Sequence, residues 1–136
     1  MFLLDTNVVS ELRRDSKAHP AVRSWAAGLN AKEQFLSAIS IVEIARGICE
    51  VRGKDIVRAT LLQDWLDSIV LPHFAGRILN VDSDIAQRCA PLHVPRRRDE
   101  FDALIAATAL AHNLTLVTRN TKDFADTGVR VFNPWG

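Results

Sequence analysis

The chain has 136 residues, of which 48% are hydrophobic, and a formal net charge of +1 at pH 7. This length is typical of one domain that buries a single core, and the composition excludes a disordered chain. The near-neutral charge excludes a general attraction to nucleic acids or anionic membranes, and the one local basic run, Arg96 to Arg98, is by default a solvated loop. No apolar run reaches transmembrane length, so we expect a cytoplasmic protein without membrane contact.

The first segment, residues 1–4, is a short apolar run that predicts a buried β-strand ending at Asp5. Ligands bind beyond the carboxyl ends of the strands in open parallel sheets, so Asp5 occupies a position typical of a functional residue. Asp5 could equally serve only as the N-cap of the next helix, because Asp side chains accept hydrogen bonds from unpaired backbone N–H groups.

The following segments predict helices over residues 8–14 and 20–29 and a second strand over 34–37. Residues 40–50 predict a helix whose apolar stripe of Ile41, Ile44 and Ile48 faces the core. Glu43 lies on a different face of that helix. Glu43 is therefore either a functional carboxylate or, together with Ser40, one half of a capping box.

A longer helix is predicted over residues 55–71, with Pro72 ending it. Its wide apolar stripe could belong to the core or could pack on a second copy of the chain, and we favour the core; its members are Val57, Leu61, Trp65, Leu66, Ile69 and Val70. Residues 77–81 predict a third strand, and a helix follows from residue 82 or 83 to residue 92.

The most apolar helix, residues 103–110, follows Asp102 and should be buried. Asp102 has Ile105 and Ala106 as neighbours on the helix surface, so its carboxylate should face inward. A buried carboxylate needs a metal ion or a network of donors. The alternative is that Asp102 only complements the helix dipole in the first turn.

The last part of the chain predicts a fourth strand over residues 114–117, a turn with a short helical segment over 118–124, and a strand over 129–132. Asn120 could cap that helical segment. Short strands alternate with helices and no hairpin signal occurs. This pattern indicates one α/β domain over residues 1–136, with a parallel sheet covered by helices on both faces.

If the sheet is parallel, three acidic residues can all reach its carboxyl edge: Asp5, Glu43 and Asp102. Crowded carboxylates raise one another's pKa and destabilise a fold unless a cation neutralises them. Oxygen ligands without His or Cys suit Mg²⁺ or Mn²⁺, and a site of this kind can hydrolyse phosphodiesters. A phosphatase with an aspartyl nucleophile is disfavoured, because Asn7 stands where its second Asp is expected.

Four segments resemble the successive motifs of the PIN domain family: residues 3–7, 40–47, 102–109 and 117–124. The ending, residues 131–135, is similar to the FitB-like branch of VapC-type toxins. The resemblance implies a PIN-like domain with a five-stranded parallel sheet flanked by helices. It further implies a metal-dependent endoribonuclease that acts as the toxin of a type II toxin–antitoxin pair.

The resemblance also implies the roles of individual residues. Asp5, Glu43 and Asp102 are expected to hold Mg²⁺, with Mn²⁺ as a possible substitute. A fourth catalytic carboxylate is expected between residues 118 and 123, where Asn120 departs from the family's Asp and Asp123 could replace it. Residues expected to orient the carboxylates or a water are Thr6, Thr118 and Asn120. Residues expected to contact RNA are Arg46, Arg97 and Arg119.

The expected partners are an RNA substrate, a cognate antitoxin that blocks the acidic pocket, and a second copy of the chain. Candidate dimer contacts are Trp25, Trp65 and Trp135. DNA is expected only indirectly, through the antitoxin. The departure at Asn120 keeps a second function open, that of a non-catalytic PIN-fold module acting through its antitoxin or RNA.

Overall fold

Five short strands form one parallel sheet in the computed structural model, which describes residues 1–136. The strands are β1 (Phe2–Leu4), β2 (Gln34–Ser37), β3 (Ile78–Leu79), β4 (Thr115–Val117) and β5 (Val131–Phe132). Their order across the sheet is β3-β2-β1-β4-β5, and every neighbouring pair is parallel. The predicted strands and the parallel sheet are therefore confirmed.

Seven helices connect the strands. They are α1 (Thr6–Arg13), α2 (Pro20–Ala27), α3 (Ala38–Arg52), α4 (Ile56–Trp65), α5 (Leu71–His73), α6 (Ser83–Cys89) and α7 (Glu100–Ala111). A π-helical turn, Leu66–Val70, joins α4 to α5, and a 3-10 turn, Thr121–Phe124, follows β4. None of these helices has the length and apolar content that crossing a membrane would require.

The strand order reverses at β1. The chain adds β2 and β3 on one side of β1 and then returns to place β4 and β5 on the other side. The carboxyl ends of β1 and β4 are joined by a hydrogen bond of 2.9 Å from the Asp5 backbone N–H to the Val117 carbonyl. Such a reversal point opens a crevice at the carboxyl edge of the sheet, and it lies beside Asp5 and Thr118.

Apolar clusters cover both faces of the sheet. Successive strand residues point to opposite faces, so Leu4 belongs to one cluster and Leu3 to the other. Leu4 packs in the cluster that includes Val8 and Ile44, whereas Leu3 packs in the cluster that includes Ile105. This arrangement confirms the prediction of helices on both faces, and it explains why β1 is continuously apolar.

Helix α3 begins at Ala38, so its N-cap lies three residues before Ser40, the N-cap position that the capping box would require. Ser37 is its N-cap, and the Ser37 hydroxyl accepts a 3.0 Å hydrogen bond from the Ile39 N–H. Ser40 lies inside the helix, buried, and its hydroxyl has no hydrogen-bond partner. The prediction of a capping box between Ser40 and Glu43 is therefore wrong, and the N-terminus of α3 is capped without the Glu43 side chain.

The apolar stripe predicted for residues 55–71 divides between the core and the surface. Leu66 and Val70 are buried, but Val57, Leu61 and Ile69 are exposed, at 70%, 65% and 60%. The prediction of a core role is wrong for these three residues. Apolar residues of this helix lie on more than one of its faces, so periodicity alone does not identify the buried face. Pro72 does not end the helix either; it lies in the first turn of α5, where a missing N–H is tolerated.

We predict that Leu116→Ala destabilises the protein far more than Leu61→Ala, although both remove the same atoms. Leu116 is fully buried in β4, so its truncation leaves a cavity and should lower the free energy of unfolding by about 2–5 kcal/mol. Leu61 is 65% exposed, and its truncation should cost about 0.5 kcal/mol or less. Urea denaturation followed by circular dichroism measures both changes, and equal costs would contradict the assigned core.

Candidate metal centre

Asp5 has a buried carboxylate at the carboxyl end of the central strand, with a side chain only 6% exposed. One oxygen accepts the Thr6 backbone N–H at 2.8 Å, and the other accepts the Thr118 hydroxyl at 2.8 Å. Asp5 is thus the N-cap of α1, which confirms that interpretation, and it also lies in the crevice, where its functional role stays a prediction. Burial raises the pKa of Asp5 even though these hydrogen bonds lower it.

Glu43 reaches the same crevice from the second turn of α3. Its carboxylate accepts a 2.7 Å hydrogen bond from the Thr6 hydroxyl, so Thr6 joins Asp5 to Glu43 through its backbone and its side chain. Burial raises the pKa of Glu43 most, and the negative charges of Asp5 and Asp99 raise it further. The Thr6 hydrogen bond and the nearby positive charge of Arg46 act in the opposite direction.

Asp102 lies in the first turn of α7 and completes the predicted group of ligands. Its pKa is raised to about 7, first by burial and then by four neighbouring carboxylates. Those neighbours are Asp99, Asp5, Asp123 and Glu43. The structure therefore brings the four carboxylates predicted from the sequence into one electrostatic group.

Asp99 is a fifth carboxylate of this group that the sequence analysis did not single out. It is the N-cap of α7, and its side chain accepts the Asp102 N–H at 3.1 Å. Its charge raises the pKa of both Glu43 and Asp102. The available signal was an Asp three residues before Asp102, which is also the ordinary signature of a helix cap.

The segment after β4 supplies the polar support of the crevice. The Thr118 hydroxyl donates to Asp5 and accepts hydrogen bonds from the Asn120 backbone N–H at 3.1 Å and the Asn7 amide at 3.2 Å. Asn120 precedes the 3-10 turn, but its side chain makes no capping bond, so a capping role is wrong. Asp123 lies exposed in that turn and raises the pKa of Asp5 and Asp102.

The three arginines predicted to contact RNA have different surroundings. The Arg46 guanidinium lies 5.1 Å from the centre of the Phe101 ring, next to Asp102 in sequence. The Arg119 guanidinium lies 5.4 Å from the centre of the Trp135 ring. Arg97 is exposed, and its nearest acidic partner is Glu100 at 3.8 Å. Trp25 packs on Phe2 and Phe132 of its own chain and remains partly exposed, so its role as a dimer contact stays a prediction.

The acidic group has the chemistry of a site for a hard divalent cation. Its five side chains offer only carboxylate oxygens, and no Lys or Arg forms an ion pair with any of them. Hydrogen bonds alone stabilise the buried Asp5 carboxylate, and burial and the neighbouring carboxylates raise the pKa of Asp102, so the group carries negative charge that no ion pair neutralises. Residues of this kind fit Mg²⁺ or Mn²⁺, which bind oxygen ligands and keep several waters.

A second group of metal-ligand atoms comes from the end of α6, the start of α7 and the connection between them. The side chains of Cys89, His93 and Glu100 have ligand atoms within 4.8 Å of one another. His93 Nδ1 accepts the Arg98 backbone N–H at 3.2 Å, which leaves the ring proton on Nε2, 3.5 Å from Glu100. A protonated nitrogen cannot be a ligand, so this group fits a metal ion less well than the acidic group does.

Comparison with known proteins gives consistent matches. A family model described as the PIN domain matches residues 2–129. The chain is 38% identical to the VapC ribonuclease Y4jK of Sinorhizobium fredii, over 99% of this chain and 98% of that protein. A solved structure of FitAB bound to an IR36 DNA fragment superposes with a TM-score of 0.88 at 35% identity, over 100% of this chain and 96% of that chain. A toxin–antitoxin complex from Klebsiella pneumoniae gives a TM-score of 0.70 at 28% identity, over 98% of both chains.

We predict that the metal-free protein loses stability as the pH rises. The folded state raises the pKa of Asp102 from 3.8 to about 7, so it binds this proton more tightly than the unfolded chain does. The free energy of unfolding should therefore fall between these two pH values, and saturating Mg²⁺ should reduce the fall. Urea denaturation in EDTA at several pH values measures the effect. Asp102→Asn should flatten the curve, and an unchanged slope would contradict the assignment.

We predict that Glu43→Gln weakens metal binding without weakening the fold. Gln still accepts the Thr6 hydroxyl, and Ser37 caps α3, but the substitution removes one charged ligand. Calorimetric titration with Mn²⁺ should show more than a tenfold loss of affinity, while the urea midpoint stays the same or rises. The matched control is Glu50→Gln, an exposed position on the same helix, which should leave the affinity unchanged. Equal affinities for the two variants would exclude Glu43 as a ligand.

Proposed function

The chain belongs to the PIN domain family, and from this premise we propose that it is a ribonuclease that acts as the toxin of a type II toxin–antitoxin pair. The observation that carries the proposal is the convergence of Asp5, Glu43 and Asp102 at the point where the strand order reverses. A relative that matches this chain nearly from end to end is named a ribonuclease. Because the match covers 99% of this chain, the aligned region spans all three acidic positions.

The proposed cofactor is Mg²⁺, with Mn²⁺ as a substitute, held by Asp5, Glu43 and Asp102. When bound, the ion supplies Lewis-acid polarisation of a phosphate oxygen and lowers the pKa of a water molecule. Its positive charge would also return the Asp102 carboxyl, whose pKa is about 7 in the metal-free protein, to the ionised form.

Two threonines of the crevice hold the carboxylates in position for metal binding. Thr118 fixes one Asp5 oxygen, and Thr6 fixes the other Asp5 oxygen and Glu43, so these two ligands require little rearrangement. Asp123 is exposed beside them, and we propose that it accepts a proton from the attacking water. The Asn120 side chain has no hydrogen bond within the chain and is available to orient that water.

The proposed partners follow from the same charge distribution. A cognate antitoxin would inhibit the toxin by covering the crevice, where a basic side chain would pair with the crowded carboxylates. The FitAB structure contains DNA, and we propose that this chain reaches DNA only through its antitoxin. A second copy of the chain could pack on the apolar surface formed by the exposed Val57, Leu61 and Ile69 and the partly exposed Trp65.

We predict that the purified, antitoxin-free protein cleaves labelled single-stranded RNA in Mg²⁺ or Mn²⁺ and is inactive in EDTA. Asp5→Asn should lower kcat more than about 100-fold, because it removes the charge of the central ligand. The matched control is Asp64→Asn, an exposed position on α4, which should retain full activity. Circular dichroism and urea denaturation confirm that both variants fold.

Two results would contradict the proposal in different ways. Cleavage that persists in EDTA and in folded Asp5→Asn would exclude the acidic group as its source. A folded protein that binds its antitoxin or RNA but cleaves no member of a diverse RNA panel would favour the non-catalytic module. The Asn120 departure is the feature of this chain that favours that second function.

A further inference from the structure

A charged groove of about 260 Å³ lies directly beside the proposed metal centre. It contains no hydrophobic residue. Its lining consists of three acidic residues, Asp99, Asp102 and Asp123, and four basic residues, Arg96, Arg97, Arg98 and Lys122. The basic residues come from two separate segments, the α6–α7 connection and the 3-10 turn after β4.

The opposite charges of this groove do not pair with each other. No basic residue of the groove lies within 4.0 Å of Asp99, Asp102 or Asp123 in an ion pair. A merely structural cluster of both signs would be expected to neutralise itself. Separated charges instead suit a ligand that carries both signs, and a phosphodiester bound to a divalent cation is such a ligand.

Arg98 differs from its neighbours because its guanidinium is already occupied. It donates to the carbonyls of Leu92 at 2.6 Å, Asp123 at 3.2 Å and Ala125 at 3.2 Å. These bonds tie the α6–α7 connection to the 3-10 turn that carries Lys122 and Asp123. Arg98 therefore fixes the two walls of the groove relative to each other, and its Nε and Nη1 are engaged within the chain.

The other three basic residues remain available. Arg96 and Lys122 are exposed and make no ion pair or side-chain hydrogen bond. Arg97 has one ion pair, with Glu100 at 3.8 Å, and both side chains are mostly exposed at 84% and 57%. An exposed pair at this distance holds a guanidinium weakly, so a phosphate could replace Glu100 as its partner.

We propose that Arg96, Arg97 and Lys122 form a subsite for a backbone phosphate of RNA next to the phosphate at the metal centre. The inference rests on the proposed function and adds to it the residues that hold the substrate beside the reacting group. Because these residues bind phosphate rather than bases, the subsite increases affinity for RNA of any sequence. It does not contribute directly to the chemical step.

The test is the salt dependence of RNA binding. A fluorescent single-stranded RNA is titrated with Asp5→Asn protein in Mg²⁺ by anisotropy between about 50 and 200 mM KCl. Arg97→Gln and Lys122→Gln should each reduce the slope of log Kd against log salt, and the double variant should reduce it by about 0.7, the contribution of one phosphate contact on a single strand. The matched control is Arg130→Gln at the amino end of β5, on the opposite edge of the sheet, which should leave the slope unchanged.

Cleavage kinetics of the same substitutions in the otherwise unmodified protein separate the two proposals. Arg97→Gln and Lys122→Gln should raise KM and leave kcat within about twofold, because only binding of the substrate is weakened. Normal cleavage by the unmodified protein together with unchanged salt slopes and KM in both variants would overturn the subsite and leave the ribonuclease intact. Absence of both RNA binding and cleavage would overturn both.

Discussion

The burial of the Asp5 carboxylate at the end of the central strand is the constraint on which this structure depends. Taking a charged group out of water is costly unless donors or a cation compensate it. Two of its donors, the Thr6 N–H and the Thr118 hydroxyl, are provided by the turn after β1 and by the residue after β4. The parallel pairing of β1 with β4 is therefore also what makes the carboxylate tolerable, since it places Thr118 beside a residue 113 positions away.

Two helices bring Glu43, Asp99 and Asp102 near Asp5, and the 3-10 turn after β4 brings Asp123. Ser37 caps α3 directly after β2, which places Glu43 in the second turn. Asp99 caps α7 and places Asp102 in the first turn. The positive ends of both helix dipoles thus lie near the acidic group and partly offset its charge. The offset is incomplete, as the raised pKa of Asp102 shows, and a bound cation would complete it.

The apolar clusters stabilise the fold, whereas the crowding of carboxylates destabilises it. Leu3 and Leu4, one residue apart, anchor opposite faces of the sheet immediately before Asp5. Arg98 stabilises the charged groove in a similar way. It donates hydrogen bonds to carbonyls of the α6–α7 connection and of the segment after β4, which are not paired in the sheet. A rigid groove that carries both signs of charge is suited to a substrate that arrives as a phosphate chain and meets a cation.

The sequence by itself determined the strands, most of the helices, and the carboxylates Asp5, Glu43 and Asp102, because apolar runs, caps and helix periods are local features of the chain. The tertiary structure decided the rest. Whether Glu43 capped a helix depended on where α3 starts, and that start follows from the end of β2 at Ser37. Which side of α4 is buried depended on what packs against it. The roles of Asp99 and Arg98 required the distance between segments far apart in sequence, and only the order of the strands across the sheet sets such distances.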